Sequence, residues 1–331
     1  MAEIVLGIGS SHSPQISSPI ELWHDHAERD RHKNLLLGPD GEFHHYDELA
    51  EAAGASRLAE LEPEVWKAKR ARADAAIDIL AARLAGAGPE VVVVVGDDQH
   101  ELFGNEVIPA IALCLADGLV DLPPTAEQIE RIPLGIRAAL WARHGDAPEY
   151  YRVAADLSKH LASGLSNRFD VAQIRDQTAG RSLGHAFTFV RRRLGLAPDV
   201  PIVPVFLNTC FEPTVPSPRR CYELGTALGE LIRDWEGCDR VAVVASGGLS
   251  HYVVLEEFDK SVLAAMRERD PQRLCAIPSR FFRSGTSETL NWVTAFGAVG
   301  DLQMRVVDYI PGYRSPAGTG TGIAFALWEP P

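Results

Sequence analysis

The chain has 331 residues and 46% of them are apolar, enough to bury a large core in one big domain or two closely packed halves. Its formal net charge of −13, with no basic run or stripe, argues against a nucleic-acid surface, and no stretch approaches 18 uncharged apolar residues, which argues against a spanning helix. Five cysteines (Cys114, Cys210, Cys221, Cys238 and Cys275), none in CxxC spacing, fit a reducing compartment better than a disulfide framework or a zinc ribbon. With no basic, apolar leader ahead of Glu3, the expected location is the cytoplasm.

Residues 3–9 read as a short buried strand, and Ser10-Ser11-His12-Ser13-Pro14 follows as a loop with a histidine just past the strand end. Residues 15–62 are an irregular excursion rich in histidine, with His24, His26, His32, His44 and His45; long ordered excursions often serve as lids or binding loops. From Pro63 to Gly86, Trp66, Ala73, Ile77, Leu80 and Leu84 recur at helical spacing. Val91–Val95 is a continuous β-branched run of the kind that fills a parallel sheet. It ends in Gly96-Asp97-Asp98-Gln99-His100-Glu101, where ionisable residues crowd a strand end at a cost that calls for a function.

Val107–Cys114 is the next apolar strand, residues 121–150 show no clear pattern, and Tyr150–Leu165 reads as a helix. A short strand over Asp170–Ile174 precedes Gly184-His185-Ala186-Phe187 and a helix over 185–194. Val200–Asn208 is a strand whose prolines suggest an edge or a bulge. Pro218–Trp235 is amphipathic and helical. Arg240–Ala245 is a buried strand, and Ser246-Gly247-Gly248-Leu249-Ser250-His251 turns sharply out of it to present another histidine. A helix over Leu255–Arg267 follows, then a helix start near residue 286 that carries Glu288 in its first turn. Arg305–Tyr309 is a strand, and Tyr313 to Gly322 reads as a glycine-rich loop that is neither a Walker A loop nor a dinucleotide fingerprint. The alternation of strands and helices predicts a single large α/β domain with a mixed, mostly parallel central sheet flanked by helices.

His12, His100, His185 and His251 each lie in a small-residue or acidic loop, and Glu288 opens a helix beside a Ser-Gly turn. Two histidines and one carboxylate form the donor set of non-haem Fe(II) oxygenases. The remaining histidines suit acid–base work near neutral pH. Donor type alone equally admits a zinc hydrolase, and spacing does not decide between the two.

The segments Gly7–Pro14, Asp97–His100, Gly184–Phe187, Gly247–His251, Ser284–Trp292 and Tyr313–Gly322, in that order, resemble the class III (LigB-type) extradiol ring-cleavage dioxygenases, the family of gallate, 3-O-methylgallate and protocatechuate 4,5-dioxygenases. The resemblance implies Fe(II) held by His12, a histidine after the second sheet strand and Glu288. It implies acid–base catalysis by His251, and His185 near the substrate. The substrates would be a protocatechuate- or gallate-type aromatic diol and O2, and the assembly a homodimer. The family reads Asn-Asp-His or Pro-Asp-His where this chain has Asp98-Gln99-His100, so the histidine stands one residue late. His100 is the candidate second ligand, with His44, His45 and Asp98 as alternatives. Tyr313, Arg314 and Thr319 are candidates for ring selection, the arginine as partner to a carboxylate. A zinc hydrolase and a non-catalytic relative that has lost the metal remain the competing readings.

Overall fold

In the computed structural model, which describes residues 1–331, the β-branched runs join into one nine-stranded sheet. Its strands are β1 (Glu3–Ser10), β2 (Val91–Gly96), β3 (Ile111–Cys114), β4 (Ala172–Ile174), β5 (Ile202–Leu207), β6 (Arg240–Ser246), β7 (His251–Val253), β8 (Gln303–Tyr313) and β9 (Thr319–Glu329). Their order is β7-β9-β1-β6-β2-β5-β3-β4, with β8 also paired to β9. The four central strands β1, β6, β2 and β5 are mutually parallel. The antiparallel pairings lie on the flanks: β9 on β1, β7 and β8 on β9, and β3 on β5. The outcome is the expected single α/β domain.

The two-residue period of a strand divides the core between the two faces of the sheet. In β2, Val91, Val93 and Val95 belong to one apolar cluster and Val92 and Val94 to the other. Helices α3 (Ala155–Leu165), α5 (Pro218–Arg233), α6 (Glu256–Arg267) and α7 (Thr289–Val299) cover the first face. Helices α2 (Pro63–Ala87) and α4 (His185–Arg192) cover the second. Every residue of α7 is buried. Its contact with α5 is backbone to backbone: a Cβ added to Gly225 would lie 1.9 Å from the Thr294 carbonyl oxygen, and one on Gly297 would lie 2.4 Å from that of Tyr222. This close approach sets the start of α7, and with it Glu288, over the end of the sheet.

Several expectations change: the helix expected over Tyr150–Leu165 begins only at Ala155, after a short strand over Glu149–Arg152, and the strand expected over Val107–Cys114 begins at Ile111. The proline-bearing strand β5 lies inside the sheet, paired with β2 on one side and β3 on the other. The β3 pairing spans only Val205–Leu207, so Pro201 and Pro204 sit outside the doubly paired part and their missing N–H groups are tolerated. The glycine-rich segment Tyr313–Gly322 is loop only over Arg314–Gly318; its ends are strand, with Tyr313 opposite Gly320 in a long β8–β9 hairpin. Its glycines permit close approach, since a Cβ on Gly322 would lie 2.0 Å from Asp259 Oδ2. The excursion over 15–62 contains helix α1 (Trp23–Arg31), the helix Tyr46–Ala53, short 3-10 turns and a small ribbon. No helix is long and apolar enough to cross a membrane.

Candidate active site

Because β1, β6, β2 and β5 run parallel, the segments that follow them gather along one edge of the sheet. His12 comes from β1, Asp97 to His100 from β2, Cys210 and Phe211 from β5, and Ser246 to His251 from β6. The first turn of α4 adds His185, and the turn before α7 adds Glu288. Of these, His12, Gln99, His100, His185, Cys210, Phe211, His251 and Glu288 line a cavity of about 640 Å3, together with Arg29 and His26 of α1 and Ile136 and Arg143. Three other hollows have comparable volumes: those of about 610 and 630 Å3 contain no histidine, and that of about 570 Å3 has His32 and His45 on its wall but neither Asp97 nor Glu288. Four non-glycine residues have left-handed backbone, and three of them (His100, Tyr252 and Ser284) stand on the wall of this cavity, where functional sites commonly store strain.

At its floor His12 Nε2 lies 3.2 Å from His185 Nε2 and 3.3 Å from Glu288 Oε2. The far nitrogens are both engaged: His12 Nδ1 meets Ser246 Oγ at 3.0 Å, and His185 Nδ1 meets Glu101 Oε1 at 2.7 Å. That engagement turns both Nε2 atoms toward one point, as outer-shell partners of metal-bound histidines do. Ligand atoms of His12, His185 and Asp97 all lie within 4.8 Å of one another. Gln99 Nε2 donates to Asp97 Oδ2 at 3.1 Å and to Glu288 Oε1 at 3.4 Å. Two imidazoles and two carboxylates at this spacing suit a divalent cation with positions left open for other ligands.

His251 stands beside this group, its Nε2 3.2 Å from Glu288 Oε2 and its Nδ1 bonded to the Leu249 carbonyl at 2.9 Å. The carbonyl makes Nδ1 the donor, so Nε2 is the nitrogen free to exchange a proton. The turn that carries it is anchored by Asp259, which accepts from the Ser250 N–H and hydroxyl and from the Tyr309 hydroxyl at 2.7–2.8 Å.

The two carboxylates titrate in opposite directions. Burial alone would raise the pKa of Glu288, but His251, His12 and the Gly248 N–H (3.0 Å) hold it well below the usual carboxylate range. Burial and the nearby Glu288 raise that of Asp97. His12 is lowered by burial despite Glu288. His185 is raised, because Glu101 outweighs the burial that opposes it. Neighbouring groups pushed apart in this way are the mark of a site that handles protons.

His12, Glu288, His185 and His251 are therefore brought together, and His100 is not. Past the end of β2 the chain bends, with His100 in left-handed backbone, so Asp97 and Gln99 face the cluster while His100 turns out. His100 is exposed at the cavity rim, with its ring 4.2 Å from that of Phe211. Its extra-residue offset puts Gln99 beside Glu288 instead. The alternatives are no closer. Asp98 is spent accepting N–H bonds from His100, Leu102 and Phe103, His44 pairs with Asp40, and His45 bonds the Asn34 carbonyl. Arg314 reaches the cavity wall, but its guanidinium is tied bidentately to Asp30 at 2.6 and 3.0 Å and to Gln15. Tyr313 faces another hollow and bonds Glu256, while Thr319 is fully buried against Ser315. Asp97, Gln99, Glu101 and Arg143 join the site although the sequence did not single them out as site residues. The crowding of acids after the valine run was the available signal for the first three, and Arg143 comes from a segment without pattern.

Residues 60–324 match the family model of the catalytic LigB subunit of aromatic ring-opening dioxygenase. A gallate dioxygenase of Pseudomonas putida is 32% identical over 187 residues, covering 53% of this chain and 53% of that protein. A 2,3-dihydroxyphenylpropionate/2,3-dihydroxicinnamic acid 1,2-dioxygenase of Paraburkholderia xenovorans is 29% identical over 228 residues, 68% of this chain and 62% of the relative. One of the same name from Comamonas testosteroni is 26% identical over 49% of this chain and 43% of the relative. The chain thus spans about half the length of the curated relatives it matches.

Proposed function

The chain belongs to the LigB family of aromatic ring-opening dioxygenase catalytic subunits, and on that premise we propose that it is an extradiol dioxygenase opening the ring of a protocatechuate- or gallate-type diol with Fe(II) and O2. The observation that carries this reading is His12 Nε2 standing 3.2 Å from His185 Nε2 and 3.3 Å from Glu288 Oε2, with His251 Nε2 3.2 Å from the same carboxylate oxygen. In this reading His12, His185 and Glu288 hold the metal, Asp97 lies within reach as a further carboxylate, and His100 does not take part. Ferrous iron in such a set supplies chelation of the two diol oxygens and activation of O2.

The protein's own groups account for the rest. His251 Nε2 takes the proton of a diol hydroxyl delivered to the Glu288 side of the cavity, and later returns it to the developing product oxygen. Its Nδ1 bond to Leu249 keeps the ring oriented through both transfers. Glu101 keeps the His185 ring facing His12, and Ser246 does the same for His12. Ile132, Pro133 and Ile136 offer an apolar wall to an aromatic ring. The same reading has the enzyme working as a cytoplasmic homodimer.

The test is purification without oxygen, loading with ferrous iron, and oxygen uptake with gallate, 3-O-methylgallate and protocatechuate beside a metal analysis. Iron near one per chain with uptake and a ring-opened product is the expected result. Retained zinc and no uptake would overturn it in favour of a hydrolase, and no stoichiometric metal in favour of a non-catalytic relative.

A further inference from the structure

The cavity has two electrically different walls. One carries Glu288 with His12, His185 and His251, backed by the carboxylates of Asp97 and Glu101. The other carries Arg29, Arg143 and Arg314, three guanidinium groups around the buried His26. That wall is positive enough that burial and these three arginines together push the His26 pKa down to about 3. Arg314 is consumed by Asp30 and Gln15. Arg143 is not consumed by anything. Its guanidinium enters no hydrogen bond and no ion pair, and its Nε is shut off from solvent without a partner.

A guanidinium partly removed from water with no counter-ion is costly, and such a group is expected only where something arrives to pair with it. The carboxylates of the opposite wall are near enough to favour its charge, yet none approaches within ion-pair distance. A divalent cation bound among them would spend their charge and leave Arg143 still more in need of an anion. An aromatic diol bearing a carboxylate has matching polarity: diol toward His12, Glu288 and His251, carboxylate toward the arginine wall. Planar two-point pairing is what a guanidinium offers a carboxylate.

We propose that Arg143, backed at the cavity mouth by Arg29, binds the carboxylate of the substrate and so selects carboxylated diols over neutral ones. The assignment rests on the ring-cleavage reading for the diol end and on the unpaired guanidinium for the anionic end. It moves the carboxylate-partner role from Arg314, whose fork is already filled, to Arg143.

The experiment compares 3,4-dihydroxybenzoate with its methyl ester, which keeps the diol and removes the charge, in the iron-loaded wild type, Arg143→Met and Arg143→Lys. The wild type should prefer the acid. Arg143→Met should lower the acid-to-ester ratio of kcat/KM by roughly 30-fold or more, the scale of truncating one partner of a buried charge pair, chiefly through KM. Arg143→Lys should keep part of the preference, which shows that the variants fold. An unchanged ratio in Arg143→Met would overturn the proposal. A second measurement separates it from the parent reading: calorimetric binding of 4-hydroxybenzoate and its methyl ester, neither of which has a vicinal diol. If no diol is cleaved by the wild type, the ring-cleavage reading fails. A preference for the acid in this binding assay that disappears in Arg143→Met still supports the anion site, and equal binding of acid and ester by the wild type overturns it.

Discussion

Replacing Glu101 by Gln tests whether the charge behind His185 organises the site. The carboxylate accepts from His185 twice through Oε1, from ring Nδ1 at 2.7 Å and from the backbone N–H at 2.9 Å. Burial would raise its pKa, but the charge of His185 and these two bonds win, and hold it at about 2 against an ordinary 4.5. At about 1.4 kcal/mol per pH unit that difference corresponds to about 3 kcal/mol, a ceiling for what the charge contributes to folding. Glutamine keeps an acceptor oxygen in place, so the variant removes charge with little change of shape.

The sign follows from proton binding. The folded chain binds the Glu101 proton more weakly than the unfolded chain, so the stabilisation is complete above about pH 4.5 and is lost as pH falls toward 2. Urea unfolding with a chelator present should show Glu101→Gln less stable than wild type by about 1–3 kcal/mol at pH 6, where the ordinary imidazole is largely protonated, with the gap roughly halved by about pH 3 and closing toward about pH 2. Metal titration should show affinity reduced by roughly 10- to 100-fold, the usual cost of losing an outer-shell partner. An equal stability deficit at pH 6 and pH 3 would refute the electrostatic argument and leave only a packing change.

Other outcomes follow from the same geometry. His185→Ala should lose metal by more than the roughly 10- to 100-fold of an outer-shell change, while His100→Ala should retain it; metal analysis after dialysis distinguishes the two. His251→Ala should keep its metal and lose about 10²- to 10⁴-fold in kcat, the usual yield of general acid–base catalysis. His26, with a folded pKa of about 3 against 6.5, takes up its proton less readily than in the unfolded chain, so its contribution is present above pH 6.5 and drains away below it. His26→Gln should therefore flatten the acid limb of the stability curve between pH 6.5 and 3. Gly225→Ala would place a methyl 1.9 Å from the Thr294 carbonyl, force α5 and α7 apart and cost at least about 1–3 kcal/mol; a lower Tm accompanied by weaker metal binding would show that this contact also sets Glu288.

The sequence by itself determined the α/β class, the central strands and most of the side chains that meet at the candidate site. Val91–Val95 and Arg240–Ala245 are too apolar and β-branched to be anything but buried strands, and a parallel sheet sends the residues after them to a common edge. That argument reaches His12 and His251 without coordinates, and the family resemblance adds His185 and Glu288. It fails at His100, because the direction of a side chain in a turn past a strand end depends on that turn's backbone, and only the fold shows that Gln99 faces Glu288 while His100, in left-handed backbone, faces Phe211. It fails again at Arg314 and Arg143. Nothing in the sequence around either arginine tells whether its charge is paired, and what separates them is that Asp30, 284 residues away from Arg314 in the chain, occupies its guanidinium, whereas nothing occupies that of Arg143. Strand identity is a local property carried by pattern and propensity; which way a loop residue points, and whether a charge already has a partner, depend on long-range packing that only the tertiary structure decides.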